Sequence, residues 1–369
     1  MRIALLTRRF DPAGGGTERD LVITADCLRR SGYEVATYAD DIRGGPQPDV
    51  YRIGNARLPR TLAFLRFAFA AAPAARGNGA DLVLSFARVT NADVLRSGGS
   101  AHTSYLRAAA QWRGQAGAVA MRLAPYHLAQ VIVERRGFTS SRLRGAIAVS
   151  DFVRRDLIAC FGLPATRVRT IYNGVDLQRF HPAERSASPV RDRFKIPDDR
   201  KLVLFVGNGF ARKGLGFLID ALAKVPDAHL LVVGSDRAAG SFERRARRHG
   251  VAARVIFAGN QPDALEFFNA ADALALPSLF EPFGNVAIEA MACGLPAMVS
   301  TQCGAAEVMP AGLRDYVIHD PTDSGEIAQK LDAMLKDSNR LRAIVRAAAL
   351  EFTWDRHAQQ LSEYLRTLL

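Results

Sequence analysis

The segment that decides the fold class is Leu279–Pro296, with the sequence LFEPFGNVAIEAMACGLP. Its polar loop runs into a short helix, predicted over Asn285–Cys293, that Gly294 ends and Pro296 follows. A buried strand is predicted next, over Pro296–Ser300. A loop, a helix and a strand in this order are typical of a parallel α/β sheet.

The same alternation of apolar strands and helices extends outward from this segment along most of the chain, and it falls into two series. Strands are predicted at Arg2–Thr7, Tyr33–Ala39, Asp81–Phe86, Ala146–Val149 and Val168–Tyr172, then at Leu202–Val206, His229–Val233, Arg254–Ala258, Asp272–Leu276 and Pro296–Ser300. The polar stretch 183–200 between the series is interpreted as a linker. We therefore predict two doubly wound, Rossmann-like α/β domains, 1–182 and 183–350, that face each other across a cleft.

Length and composition exclude several classes of protein. The chain has 369 residues, of which 49% are hydrophobic and 23% charged, which is ordinary for a globular protein and argues against a disordered or fibrous one. Its four cysteines form no C-x-x-C pair, so a disulfide framework or a zinc ribbon is not expected. The sequence shows no 18-residue apolar stretch and no signal-peptide pattern, and we expect a cytoplasmic protein.

The net charge of +12 lies entirely in the first half of the chain. Residues 1–180 hold 26 basic residues, all of them arginine, and 14 acidic ones, whereas residues 181–369 hold 23 of each. Such a field suits nucleic acid, an anionic membrane surface or a phosphorylated substrate. Nucleic acid is disfavoured, because zinc-finger spacing, an RNP-like aromatic run and a basic tail are all missing from the sequence. The arginine-rich apolar segment 57–70 fits a helix lying on a membrane surface and a core-facing helix equally well.

Two carboxylates stand eight residues apart across the loop-to-helix junction, Glu281 in the loop and Glu289 in the helix. Between them, the backbone N–H groups of Phe283, Gly284 and Asn285 lie where a helix start binds phosphate. Carboxylates beside such a site accept hydrogen bonds from hydroxyl groups. Phosphate donors flanked by hydroxyl acceptors predict a sugar-nucleotide site. The alternative is a helix with one acid at its start and another on its surface.

A pair of cations, Arg212 and Lys213, follows the first strand of the second domain among several glycines. Fixed cations at the end of a strand are suited to holding a diphosphate and taking up the charge of a leaving nucleotide. A solvated charge pair is the alternative. In the first domain, the glycines at 14–16 follow the first strand and allow a close approach of the backbone to phosphate, although a plain turn has the same sequence.

Taken together, these motifs resemble the GT-B glycosyltransferases of the large retaining family 4 over nearly the whole chain. Glu281 and Glu289 match the E-x7-E motif of that family, and Arg212-Lys213 matches its diphosphate-binding pair. The stretches 149–153 and 171–182 match segments near the junction of its two domains. The glycine loop and the stretch 206–214 are most similar to the bacterial subgroup that begins the outer lipopolysaccharide core.

The resemblance implies catalytic roles for Glu281, Arg212 and Lys213, with Glu281 contacting the donor sugar and the two cations neutralising the diphosphate. It also implies a histidine beside the sugar, for which His102 is the candidate. Acceptor-side positions would be Arg9 and Glu18. The donor would be bound by a larger set: Gly15, Gly16, Asn208, Phe283, Gly284, Asn285 and Glu289.

The implied reaction transfers a hexose, with retention of configuration, from a nucleotide sugar to a glycan or glycolipid acceptor. In the subgroup the donor is UDP-glucose, and the family uses neither a metal nor another cofactor. The resemblance also implies that 351–369 is a helix crossing back to the first domain, and the arginine excess predicts peripheral contact with an anionic inner membrane. A sugar-nucleotide epimerase, a phosphorylase and a non-catalytic sugar-nucleotide-binding protein are the alternatives.

Overall fold

The structure is a computed structural model, and it describes residues 1–12, 17–45, 47–54, 58–183 and 189–368. The chain forms two compact units. Unit 1 comprises Met1–Gly174 and Trp354–Leu369, and unit 2 comprises Val175–Thr353.

Unit 1 is built on a parallel sheet of seven strands in the order β3-β2-β1-β4-β5-β6-β7. Its strands are β1 (Arg2–Phe10), β2 (Glu34–Ile42), β3 (Val50–Arg52), β4 (Leu82–Ser85), β5 (Val94–Ser97), β6 (Gly145–Ala148) and β7 (Val168–Thr170). The strand order reverses between β1 and β4, the point at which open α/β sheets bind ligands at the carboxyl ends of their strands.

Among the described residues of the first part of unit 1, six helices pack on the sheet or on one another. They are α1 (Thr17–Arg30), α2 (Arg60–Gly77), α3 (His102–Ala108), α4 (Ala110–Leu123), α5 (Pro125–Phe138) and α6 (Asp151–Phe161). The segment predicted as either a core-facing or a surface-lying helix is α2. It buries Phe64 and Phe67 and exposes Leu62 and Phe69, so one face packs into the core, and the membrane interpretation stays a prediction.

Unit 2 is built on a parallel sheet of five strands in the order β10-β9-β8-β11-β12. The strands are β8 (Lys201–Val206), β9 (Ala228–Val233), β10 (Val255–Gly259), β11 (Ala273–Leu276) and β12 (Ala297–Val299). Its helices are α7 (Pro189–Arg193), α8 (Leu215–Leu222), α9 (Ala239–Arg248), α10 (Leu265–Ala270), α11 (Asn285–Ala292) and α12 (Ser324–Ala349). Part of the predicted linker is therefore helical.

The last helix, α13 (Trp354–Thr367), belongs to unit 1. Its Leu361 and Leu365 are fully buried in the core formed with β1, β4 and β6, and the hydroxyl of Tyr364 donates to the backbone oxygen of Arg167 at 2.9 Å. The two predicted α/β domains and the GT-B type of fold are confirmed. In the described part of the chain, none of the helices combines the length and the apolarity that crossing a membrane requires.

Candidate functional site

In unit 2, the structure brings together Arg212, Lys213 and Glu281. Oxygen Oε2 of Glu281 lies 3.0 Å from Nη1 of Arg212 and 2.9 Å from Nζ of Lys213. The same Nη1 donates to the carbonyl oxygen of Phe280 at 2.6 Å. One carboxylate thus holds two cations at the carboxyl end of β8, and a net positive charge remains.

The two cations set the protonation state of this carboxylate. Burial alone would raise the pKa of Glu281, but the opposing effects of Lys213 and Arg212, through charge and hydrogen bonds, outweigh it and leave the pKa below its usual value. Glu281 is therefore ionised at neutral pH. Its other oxygen, Oε1, makes no hydrogen bond within the described part of the chain, which leaves an acceptor for a hydroxyl group.

Glycines shape the loops that carry the cations. Gly207 has φ +132°, and a Cβ there would lie 2.7 Å from Cε of Lys213, so the lysine side chain packs directly over the glycine. Gly214 has φ +77°, and a Cβ there would lie 1.9 Å from the carbonyl oxygen of Pro277. The backbone of Leu279 also donates to the oxygen of Arg212 at 2.8 Å. The two loops of the motif therefore approach each other through backbone.

The helix start predicted to bind phosphate is the N-terminus of α11. Its N-cap is Gly284 with φ +91°, and no side chain caps it. Asn285 begins the helix and Glu289 lies in its second turn. Phe283 is buried and accepts the amide of Ala305 at 2.7 Å. An open helix start next to two cations is an anion-binding arrangement.

Asn208 lies on the loop after β8 and is exposed. Its Oδ1 accepts the amide of Ser235 at 2.8 Å, a contact that joins the loops after β8 and β9. The donor-binding role assigned to Asn208 stays a prediction, as do the roles of the other predicted site residues. Gly15 and Gly16 lie outside the described residues.

In unit 1, a pocket of about 650 Å³ opens at the carboxyl ends of β1, β4 and β5. Arg9 and Glu18, the two predicted acceptor-side residues, both line it. The remaining lining residues include five that were not predicted as site residues: Arg60, Arg88, Tyr126, Gln130 and Glu134.

These five residues gave only faint signals in the sequence. Arg88 follows β4 by three residues, a position at which polar side chains in α/β sheets meet ligands. Tyr126, Gln130 and Glu134 are spaced four residues apart, which places them on one face of α5. The second signal becomes visible only once α5 is known to be a helix.

His102, the predicted partner of the donor sugar, is the first residue of α3 and is buried. Its backbone amide donates to Oε2 of Glu134 at 2.6 Å, and its Nε2 lies 2.9 Å from Nδ1 of His127. Burial, together with Arg88 and His127, lowers the pKa of His102 to about 3, so the ring is neutral at physiological pH. His102 is not among the residues that line the described pocket.

Two known glycosyltransferase families match the chain one after the other. Residues 14–179 match the family described as Glycosyltransferase Family 4, and residues 188–351 match the one described as Glycosyl transferases group 1. These matches together span most of the chain, which therefore belongs to the family 4 and group 1 glycosyltransferases of the GT-B fold.

Similar proteins include a curated relative and two solved structures. D-inositol 3-phosphate glycosyltransferase of Mycobacterium tuberculosis is 32% identical over 238 residues, which are 60% of this chain and 48% of the relative. The chain spans about half the length of the curated relatives it matches. WaaG, a glycosyltransferase involved in lipopolysaccharide biosynthesis, is 22% identical with a TM-score of 0.79 over 98% of this chain and 99% of WaaG. HepE of Anabaena in complex with UDP-glucose is 20% identical with a TM-score of 0.73 over 100% of both chains.

Proposed function

We propose that the protein is a retaining glycosyltransferase that moves a hexose from a nucleoside diphosphate sugar to a hydroxyl group of a glycan or glycolipid. The observation that carries the proposal is the cluster in which Glu281 holds both Arg212 and Lys213. This cluster lies at the carboxyl end of β8, on the loop that leads into the uncapped start of α11. Two cations, an open helix start and a hydroxyl acceptor match a diphosphate joined to a sugar.

In the proposed reaction, Arg212 and Lys213 bind the diphosphate and stabilise the negative charge that develops as the nucleotide leaves. They supply the charge neutralisation that a divalent ion provides in metal-dependent transfer, and the proposal therefore includes no metal or other cofactor. Glu281 accepts a hydroxyl of the donor sugar through Oε1. Glu289, one helical turn into α11, accepts the ribose hydroxyls. Retention of configuration is the outcome that the family resemblance implies.

For the donor we propose UDP-glucose, and for the acceptor a lipopolysaccharide core or a related glycan. The donor is supported by the structure of HepE with UDP-glucose, which shares this fold. The acceptor is supported by WaaG, whose solved structure also has this fold. The pocket of unit 1, which contains Arg9 and Glu18, is the proposed acceptor site.

The donor is tested by thermal unfolding with UDP-glucose, ADP-glucose and GDP-mannose. A ligand at 100 times its Kd stabilises the folded protein by about 2.7 kcal/mol, so UDP-glucose should raise the midpoint most. Lys213→Gln should abolish the shift. Lys336→Gln, which removes an exposed lysine of α12, should retain it. The proposal is wrong if none of the three donors shifts the midpoint, or if Lys213→Gln binds UDP-glucose as the parent does.

The same preparation distinguishes transfer from the alternatives. A transferase releases UDP from UDP-glucose in proportion to added acceptor, for which deacylated core oligosaccharide is the probe. An epimerase turns the donor over without an acceptor, and a phosphorylase requires phosphate instead. A binding protein shows the thermal shift but no turnover.

We also propose that unit 1 lies against an anionic membrane surface at the cytoplasmic face of the inner membrane. Helices α2 and α4 pack against α5, and all three expose large apolar side chains. These are Leu62, Phe69, Val119, Leu123, Leu128 and Ile132. Residues 98–144 also hold seven arginines against a single acid, Glu134, which is buried. Exposed apolar groups among cations are typical of surfaces that bind anionic lipid.

Sedimentation with vesicles tests this surface. Vesicles with about one-third phosphatidylglycerol should bind the protein at low salt, and phosphatidylcholine vesicles should not. Leu123→Ser with Ile132→Ser should weaken the binding several-fold. Leu350→Ser, at a similarly exposed position in unit 2, is the matched control. Equal binding to both kinds of vesicle would contradict the proposal.

A further inference from the structure

The pocket of unit 1 holds more positive charge than its own carboxylates balance. Its lining includes five arginines and three acids. The arginines are Arg8, Arg9, Arg60, Arg88 and Arg96, and the acids are Glu18, Asp41 and Glu134. Part of the excess positive charge of unit 1 therefore lies inside a concave site, in addition to the arginines outside the pocket.

Two carboxylates beside the pocket each pair with two arginines, so these ion pairs leave a net positive charge. Asp40 forms ion pairs with both Arg8 and Arg66, each at 3.1 Å. Asp41 forms ion pairs with Arg9 at 3.3 Å and with Arg43 at 3.4 Å. Because one negative charge faces two positive ones in each group, neither group neutralises the pocket.

Two of the arginines are held side by side along α5. Nε of Arg88 donates to Oε1 of Glu134 at 2.8 Å, and its Nη1 donates to Gln130 at 3.3 Å. The guanidinium of Arg60 lies over the ring of Tyr126, 3.8 Å from the centroid. Tyr126 and Gln130 are four residues apart on one helix, so their Cα atoms are separated by about 6 Å along its axis.

Both guanidinium groups keep unused hydrogen-bond donors. In the described part of the chain, Nη2 of Arg88 has no acceptor. Within that same part, Arg60 forms neither an ion pair with a carboxylate nor a hydrogen bond. Glu134 is almost fully buried and also accepts the amide of His102, so Arg88 is fixed before any ligand arrives. A fixed arginine loses little entropy when it binds an anion.

We propose that Arg60 and Arg88 form a binding site for a phosphate monoester carried by the acceptor. This inference rests on the proposed function, because it takes the pocket to be the acceptor site. A phosphate monoester has nearly two negative charges and three acceptor oxygens. It therefore matches two guanidinium groups, which donate in planar pairs, and the site selects phosphorylated acceptors over neutral ones.

Calorimetric titration tests the site, with UDP added to saturation so that the diphosphate site of unit 2 is filled. Glucose 6-phosphate should bind at least tenfold more tightly than glucose. Arg60→Gln, a change at an exposed position, should remove most of that preference. Arg88→Lys should weaken it while keeping a cation beside Glu134. Arg169→Gln, which removes an exposed charge on β7 of the same unit, should bind as the parent does.

A second ligand distinguishes the source of the phosphate. Dihexanoyl phosphatidic acid, used as a monomer, carries the same group on a lipid. Tighter binding of this lipid than of glucose 6-phosphate, lost in Arg60→Gln, assigns the site to a lipid-borne phosphate, and the reverse order assigns it to a sugar phosphate. Labelling of arginines with phenylglyoxal should show Arg60 and Arg88 protected by the tighter ligand and Arg169 unprotected.

The outcomes separate this inference from the proposed function. If the parent binds UDP-glucose but prefers neither phosphorylated ligand over glucose, the phosphate site is wrong and the transferase proposal stands. The phosphate site is equally wrong if Arg60→Gln keeps the preference or if Arg60 is not protected. If the parent binds no nucleotide sugar, the proposed function fails first.

Discussion

The candidate sites of the two units are built in opposite ways. In unit 2, the cations and the carboxylate come from two short loops, 207–214 and 279–285, and one acid holds both cations. In unit 1, the pocket draws its charged residues from between Arg8 and Glu134, and several of its arginines share or lack an acid. Residues that bind a part of the substrate common to related enzymes can lie in one contiguous motif. A pocket assembled from distant residues can differ in its lining between related proteins.

The largest expected effect tests the unit 2 side of this comparison. Arg212→Ala should lower kcat for sugar transfer by about 100- to 1,000-fold, because it removes a donor that stabilises developing charge. The initial rate of UDP release with saturating acceptor measures it. Arg247→Ala, an exposed change on α9, is the matched control, and a kcat within twofold of the parent for Arg212→Ala would remove the cluster from the mechanism.

A backbone change tests whether the tight loops of unit 2 are needed. Gly214→Ala should cost about 3 kcal/mol of unfolding free energy, since φ is +77° and a Cβ there meets the oxygen of Pro277 at 1.9 Å. Gly162→Ala in unit 1 has a similar φ of +66° but nothing within 4 Å, so it should cost about 1 kcal/mol. Urea denaturation compares the two, and equal losses would show that close packing at Gly214 is unimportant.

A buried histidine should make unit 1 sensitive to acid. His357 of α13 is buried against Tyr172, with Nδ1 2.7 Å from its oxygen. Burial, together with Arg96, lowers the pKa of His357 to about 3. The unfolded chain takes up a proton below pH 6.5 and the folded one does not. The contribution of His357 to the unfolding free energy should therefore fall by about 1.4 kcal/mol per pH unit from 6.5 toward 3.

Denaturation of the parent and of His357→Gln at pH 7 and pH 5 measures the contribution of His357 to the unfolding free energy. The variant should lose about 2 kcal/mol less than the parent between the two values. His181→Gln, a change at an exposed histidine, should follow the parent. Parallel pH profiles for all three proteins would assign the acid sensitivity to other groups.

The smallest expected effect concerns the start of α6, which a side chain caps, in contrast to the start of α11, which no side chain caps. Ser150 caps α6, and its hydroxyl accepts the amide of Val153 at 3.1 Å. Ser150→Ala should cost about 1 kcal/mol of unfolding free energy and leave UDP-glucose binding unchanged. Thermal denaturation with and without donor checks both parts, and a loss of donor binding would show that α6 does more than support the fold.

The sequence predicted the strand alternation and the two α/β domains, because these depend on local patterns of apolar residues. It missed β3, an edge strand with two exposed residues, and β5, a short strand that includes Arg96. It also missed Arg60 and Arg88. Their positions depend on contacts with Tyr126 and Glu134, more than 40 residues away, and no local pattern records such contacts.

Helix α13 has a consequence for how the chain is made. Leu361 and Leu365 complete the core of a unit whose other residues end at Gly174. Unit 2 is contiguous and is synthesised between these two parts. We therefore expect unit 2 to fold first on the ribosome, while unit 1 keeps apolar surface exposed until its final helix has been synthesised. This reverses the usual order of cotranslational folding, in which the N-terminal part folds first.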